Sequence, residues 1–194
     1  MAEPGQGVRP SMSGRDGLLY MKVGTHANEP LDAIIERKQR EIDEAGFALW
    51  GYGGSTCHPT RMVQPFADQL TAQGLRLVLA MEPMNSKHFA ARIRASELSK
   101  DGVDWEAIPA AINALGSRYA LVIRDLRRAD EELPLGSTRV AVGPSSGRVG
   151  DGYVRGRVDK ACLVFDPAAG GDPVRTARIG LLAEVVEPFA VFLR

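Results

Sequence analysis

Apolar residues recur at helical spacing early in this chain and alternate as in β-strands further along it. Residues 28–46 predict an amphipathic helix, with Asn28 as its N-cap and Gly46 just past its C-terminal end. The apolar stripe of this helix comprises Leu31, Ile34, Ile35, Ile42 and Ala45. Charged residues fill the positions between them, so we expect the helix to pack one face against a core.

Short apolar runs bounded by turn-forming residues predict strands along most of the remaining chain. These runs are residues 18–23, 47–52, 75–81, 89–95, 119–126, 138–142 and 161–165. Residues 178–193 fit either two strands or a helix over 174–187, because the alanine, leucine and valine there suit both. Residues 104–115 fit a short helix interrupted near Pro109.

This succession of elements predicts an α+β domain with a mixed or mostly antiparallel sheet and one prominent N-terminal helix. We expect residues 18–194 to form a single globular domain. Residues 1–17 are rich in glycine, proline and serine and are expected to be a disordered tail. The order of a strand, a helix and then several strands is similar to that of small barrels of the PUA, ASCH and EVE type. The resemblance implies a sheet closed into a barrel, with a cleft that holds a base or a nucleotide.

Composition narrows the possible partners. Lysine and arginine together number 24, as do aspartate and glutamate, so the 194-residue chain has no formal net charge. Proteins that bind duplex DNA mainly through phosphates usually carry a basic surplus, which this chain lacks. No run approaches the roughly 20 apolar residues of a membrane helix, and the N-terminus does not match a secretory signal. We therefore expect no membrane partner and a cytoplasmic location, where Cys57 and Cys162 would be free thiols.

The glycine-rich segment 49–59 has the composition of a ligand site. Trp50 and Tyr52 share one face of the predicted strand and would form a stacking wall for a base. The polar residues of the following turn are expected to contact the ligand; they are Ser55, Thr56, Cys57 and His58. In the alternative interpretation Trp50 fills the core, the two glycines form a tight turn, and Cys57 is an inert buried thiol.

Cys57 also suggests nucleophilic catalysis, since a thiolate is a strong nucleophile once its pKa is lowered. His58 is adjacent in sequence, and adjacent side chains in extended structure point apart. The general base would therefore be His26 or His88, converging on Cys57 in space. No short ligand pair of the kind found in zinc sites is present, so neither a metal nor another cofactor is predicted.

A second glycine-rich segment, residues 143–153, is followed by the most basic part of the chain. Arg148, Arg155 and Arg157 suit phosphate binding, with Arg155 and Arg157 on one face of a strand after a hairpin at Asp151-Gly152. The segment lacks the lysine-serine or lysine-threonine ending of a phosphate-binding P-loop. The alternative interpretation is a long hairpin with a flexible tip.

These observations favour a recognition domain that binds a nucleotide, a modified base or a short nucleic-acid segment. The aromatic residues would stack on the base and the arginines would hold phosphate. A different class of function remains open, a transferase or hydrolase with Cys57 as nucleophile. A third possibility is an interaction module whose aromatic residues belong to the core. Nothing in the pattern indicates an oligomeric state.

Overall fold

The chain forms one nine-stranded sheet with few helices. The computed structural model describes residue 12 and residues 14–88, 90–154 and 158–194. The strands are β1 Gly17–His26, β2 Ala48–Tyr52, β3 Leu77–His88, β4 Glu97–Ser99, β5 Glu106–Ala107, β6 Tyr119–Pro134, β7 Thr138–Val140, β8 Lys160–Phe165 and β9 Thr176–Leu193. The α-helices are α1 Leu31–Ala45, α2 Gln64–Ala72 and α3 Gly150–Tyr153, with a π-helical turn at Pro59–Val63 and a 3-10 turn at Leu135–Ser137.

The order of strands in the sheet is β2-β6-β9-β3-β1-β8-β7, with β4 and β5 attached beside β9. Strands β1 and β3 pair in parallel, and the other ladders are antiparallel. The predicted mixed α+β class is therefore confirmed. Strands β2 and β7 are the two edges, and no ladder among the described residues joins them, so the sheet is open. The closed barrel that the element order implied is not supported.

Helix α1 is the longest helix of the described chain and largely follows its predicted pattern. Gly46 ends it in the left-handed conformation, with φ of 82° and its N–H donating to the carbonyl of Ile42. Its start differs from the prediction. Pro30 precedes the first helical residue, and Asn28 has a φ of 60° in the turn before it, so Asn28 is not the N-cap.

Strand β9 decides between the alternatives left open for residues 174–193: they form one strand, Thr176–Leu193, and not a helix. Two other predicted elements are wrong. Residues 104–115 contain the two residues of β5 and no helix. Residues 90–96 are not a strand; Ile93 is 73% exposed there, and Phe89 lies outside the described residues. The sequence analysis also missed α2, although its buried Phe66, Ala67 and Leu70 recur at helical spacing.

Residues before the predicted boundary at Leu18 contact the sheet. Asp16 is buried, and its carboxylate lies 2.8 Å from the guanidinium of Arg76. Gly17 is the first residue of β1, and its N–H donates to the carbonyl of Arg76. Residues 1–11 and 13 of the predicted tail lie outside the described residues.

The sheet is covered on both faces, so the side chains on both faces of β2 are buried. Trp50 packs in one apolar cluster with Ile35 of α1 and Phe66 of α2. Leu49, the preceding residue, packs in a separate cluster with Ile112. Because successive side chains of a strand point to opposite faces, both sets of β2 side chains become core.

Candidate functional site

The two glycine-rich segments lie near each other. The Sγ atom of Cys57, in the first segment, is 3.8 Å from that of Cys162 on β8. Gly143, in the second segment, packs against the side chain of Met62 in the π-helical turn. Burial, together with the thiols of Cys57 and Cys162, raises the pKa of the Tyr153 phenol. The structure therefore brings together two features that are about 90 residues apart in sequence.

The first of these segments turns over a buried lysine. A Cβ atom placed on Gly54 would lie 4.0 Å from Nζ of Lys160. That ammonium group is buried and pairs with the carboxylate of Asp159 at 2.8 Å. Gly54 has a φ of 84° and Cys57 one of 55°, so the turn bends through left-handed conformations. Ser55 is exposed on this turn.

Trp50 and Tyr52 do not form the stacking wall predicted for them. Each side chain is only 5% exposed, within the core cluster described above. The hydroxyl of Tyr52 donates a hydrogen bond of 2.7 Å to the carbonyl of Cys57, which holds the turn against β2. Burial raises the pKa of this hydroxyl. Neither ring offers a face to a ligand in this conformation.

A different set of rings, the aromatic patch of His58, Tyr119 and Phe192, reaches the surface through His58 and Phe192. The His58 ring centroid is 5.4 Å from that of Tyr119 and 5.5 Å from that of Phe192, and the last two are 5.6 Å apart. His58 and Phe192 are half-buried, whereas Tyr119 is buried behind them. The rings meet in tilted and edge-to-face geometry, which suits their quadrupoles.

Two exposed arginines flank the aromatic patch. Cζ of Arg118 lies 5.9 Å from the ring centroid of Tyr119. Partial burial and then the charge of Arg61 lower the pKa of His58, so its imidazole is neutral at pH 7. Its Nδ1 lies 3.5 Å from the hydroxyl of Thr60. The patch thus combines a neutral aromatic surface with cationic side chains at its border.

The two proposed bases, His26 and His88, are register partners on β1 and β3. Cys57 is fully buried, and its thiol contacts Cys162. Nε2 of His26 lies 2.9 Å from the carbonyl oxygen of Leu115. His88 ends β3, and its side chain lies outside the described part of the chain. No group of three metal-ligating side chains occurs within residues 14–88, 90–154 and 158–194.

The second glycine-rich segment differs from the predicted hairpin at its tip. Asp151 and Gly152 belong to the short helix α3. Arg148 is exposed, and its Cζ lies 5.7 Å from the ring centroid of Tyr153. Arg155 and Arg157 lie outside the described residues. Of the predicted arginine cluster, the structure therefore describes Arg148 alone.

A polar cavity of about 160 Å³ lies on the face of the sheet opposite α1. The hydroxyl of Tyr20 donates to the carboxylate of Glu82 at its wall, and burial raises the pKa of Tyr20. Lys22 also lines the cavity and donates to the carbonyl of Val154 at 3.5 Å. Val154 immediately precedes residues 155–157, which are not described, so we assign the cavity no ligand.

A buried ionic network holds the loop that leads to the aromatic patch. Lys38 of α1 lies 2.7 Å from the carboxylate of Glu41 and donates to the carbonyl of Asn113 at 2.8 Å. Arg37 donates to the same carbonyl at 2.7 Å. The carboxylate of Glu41 accepts from the backbone N–H of Asn113 at 3.0 Å. These bonds fix the loop to α1 a few residues before Tyr119.

Close packing of the Ser117 side chain on Gly51 fixes the other side of this loop. Gly51 of β2 lies against Ser117, and a Cβ atom on Gly51 would collide with the Ser117 hydroxyl. The glycine is therefore required for β2 and the start of β6 to meet as they do. Tyr119 is the register partner of Tyr52, so this contact sets the position of the patch relative to the core.

The chain matches no known protein-family model, no curated protein and no solved structure. Among the described residues, no helix has the length and apolar character needed to cross a membrane.

The sequence analysis named His58 as a ligand contact but did not name Tyr119, Phe192 or the two flanking arginines. Tyr119 opens a strand that was correctly predicted, and Phe192 nearly ends another. Neither position carries a local motif, because the patch forms only when β6 and β9 pair. A tyrosine or phenylalanine in an apolar strand predicts core packing equally well.

Lys38 should stabilise the wild type increasingly as the pH rises above 8. The Lys38→Met variant should lack this increase. Burial, opposed by attraction to Glu41, lowers the pKa of Lys38 to about 8. In the unfolded chain it is about 10.4. Between these values the unfolded state binds more protons, so the contribution of Lys38 to the free energy of unfolding increases with pH.

The difference in unfolding free energy between the wild type and Lys38→Met should therefore grow by about 1–2 kcal/mol from pH 8 to pH 10. Urea denaturation at closely spaced pH values measures it. Taking the difference cancels the tyrosine and cysteine titrations that both proteins share. A difference that stays constant would contradict the lowered pKa.

Proposed function

We propose that this protein is a recognition domain that binds a nucleotide, a modified base or a short single-stranded nucleic-acid segment at the aromatic patch. The observation that carries the proposal is the contact of three rings, His58, Tyr119 and Phe192, at a surface bordered by Arg61 and Arg118. In this proposal the patch stacks on the base, a role that the sequence analysis assigned to Trp50 and Tyr52.

The chemistry of the patch favours a base as its ligand. Every nucleobase has a π-face, and stacking on an aromatic side chain contributes about 1–3 kcal/mol per base. The half-buried rings of His58 and Phe192 are the surfaces available for such stacking. Because the imidazole of His58 is neutral at pH 7, it can also exchange a hydrogen bond with a base edge.

The charges around the patch suit a short ligand. Arg61 and Arg118 are exposed and can contact phosphate, while the whole chain has no net charge. Two arginines neutralise few phosphates, so a long duplex tract would gain little from this surface. A nucleotide or a few unpaired nucleotides would bring both a base and a phosphate within reach.

Phe192→Ala is expected to weaken binding of a short oligothymidylate by about 5- to 100-fold, the equivalent of one lost stacking contact. Fluorescence anisotropy with a labelled oligonucleotide measures the affinity. His58→Ala should have a similar effect. A melting curve of each variant establishes that the fold is retained.

The arginines provide a second, independent measurement. Arg61→Ala and Arg118→Ala should each reduce the salt dependence of the affinity. Arg178→Ala is the matched control, since this exposed arginine on β9 pairs with Asp130 away from the patch. Failure of the wild type to bind nucleotides and oligonucleotides, or equal effects of Arg178→Ala and Arg118→Ala, would refute the proposal.

A further inference from the structure

The two cysteines of the chain lie in contact although 105 residues separate them. Cys57 lies in the turn after β2, and Cys162 lies in the middle of β8, in register with Leu19 of β1. Both side chains are fully buried, and both are free thiols. Their Sγ atoms are 3.8 Å apart, whereas a disulfide needs about 2.05 Å. A displacement of less than 2 Å separates this contact from a covalent bond.

We infer that Cys57 and Cys162 form an oxidisable pair that becomes a disulfide when the protein meets a hydroperoxide. The bond would tie the first glycine-rich turn to the centre of the sheet. This inference is independent of the proposed ligand, because it concerns only the state of the two thiols.

The reaction balances with a hydroperoxide as the sole oxidant. One thiolate attacks the outer peroxide oxygen, the O–O bond breaks, and the remaining oxygen leaves as an alcohol or as water. The resulting sulfenic acid is then attacked by the second thiolate, which forms the S–S bond and releases water. Overall the two thiols lose two electrons and two protons, and the peroxide accepts both.

Burial of the two thiols slows this reaction. Contact with Cys57, together with burial, raises the pKa of the Cys162 thiol, so little thiolate exists while the turn is closed. The turn is exposed at Gly54 and Ser55, and a single side-chain hydrogen bond to its backbone, from Tyr52 to the carbonyl of Cys57, is described at its end. Oxidation should therefore follow local opening of the turn, with Cys162 held in β8.

The test exposes the reduced, folded wild type to hydrogen peroxide and follows it by intact-mass and peptide mass spectrometry. The expected product is one intramolecular Cys57–Cys162 disulfide, which a thiol reductant reverses. Met84, which is 42% exposed, provides an internal measure of peroxide exposure through its sulfoxide. The oxidised protein should also have a higher melting temperature, because the cross-link restricts the unfolded chain.

Cys162→Ala is the matched control, since it keeps Cys57 and removes its partner. Peroxide should not raise the melting temperature of this variant. In the wild type it should raise the melting temperature, and a reductant should reverse the rise. Three outcomes would overturn the inference: both thiols still free after Met84 is fully oxidised, sulfinic or sulfonic acid as the main product, or a disulfide between two chains. Because the wild type carries the primary measurement, the test does not depend on the stability of a variant.

Discussion

Ile35→Asp is expected to lower the free energy of unfolding by several kcal/mol and to leave the protein largely unfolded near room temperature. Ile35 is 2% exposed in the cluster that joins α1 to the sheet. An aspartate there would bury a carboxylate without a partner, and it would also remove the apolar contacts of the isoleucine. A loss of this size is comparable to the whole stability of a typical domain. Circular dichroism during thermal and urea denaturation measures it.

Gln39→Asp is the matched control for this substitution. It places the same side chain and the same added charge at an exposed position one turn further along the helix, where the Gln39 amide makes only a 3.4 Å hydrogen bond to the carbonyl of Leu126. Its cost should be below about 1 kcal/mol, as is usual for surface substitutions. Equal melting temperatures for the two variants would show that α1 does not contribute to the core.

Trp50→Ala should cost about 3–5 kcal/mol of stability. The indole is 5% exposed and packs with residues from both α1 and α2. Truncation to alanine removes its buried apolar area and leaves a cavity that the surrounding helices and strands fill only in part. If the indole instead formed a ligand-binding wall, the same variant would lose affinity with little loss of stability. Urea denaturation distinguishes the two outcomes.

The second tryptophan of the chain supplies the comparison. Trp105 is half-buried, with Cζ of Arg194 4.2 Å from its ring centroid. Such a contact at an exposed site contributes about 0.5–1 kcal/mol, so Trp105→Ala should be the milder variant. A Trp50→Ala protein as stable as Trp105→Ala would contradict the core position of Trp50.

Helix α1 could be predicted because its signals are local. The spacing of Ile34 and Ile35, and a glycine at the end, require no knowledge of what the helix packs against. Its two most buried charged residues were not identified, because the periodicity of α1 does not show that Lys38 and Glu41 face the loop at Asn113. Burial of a charged pair depends on a partner 72 residues away in the chain.

The candidate site was only partly predictable for the same reason. The first glycine-rich segment is a real feature, and its turn does follow the end of β2. Trp50 and Tyr52 were predicted to face a ligand but are buried, since alternation along one strand cannot show that both faces of the sheet are covered. Contact between Cys57 and Cys162 arises from the position of β8 beside β1, which no local pattern encodes.

Strand β9 occupies the middle of the sheet, between β6 and β3, although it is the last element along the chain. During synthesis on a ribosome, β3 and β6 would emerge before β9, the strand that pairs with both of them. Hydrogen-bonding edges of β3 and β6 would stay open until residues 176–193 had left the exit tunnel. Such open edges are the usual starting points of aggregation, so the nascent chain is most vulnerable before β9 has emerged.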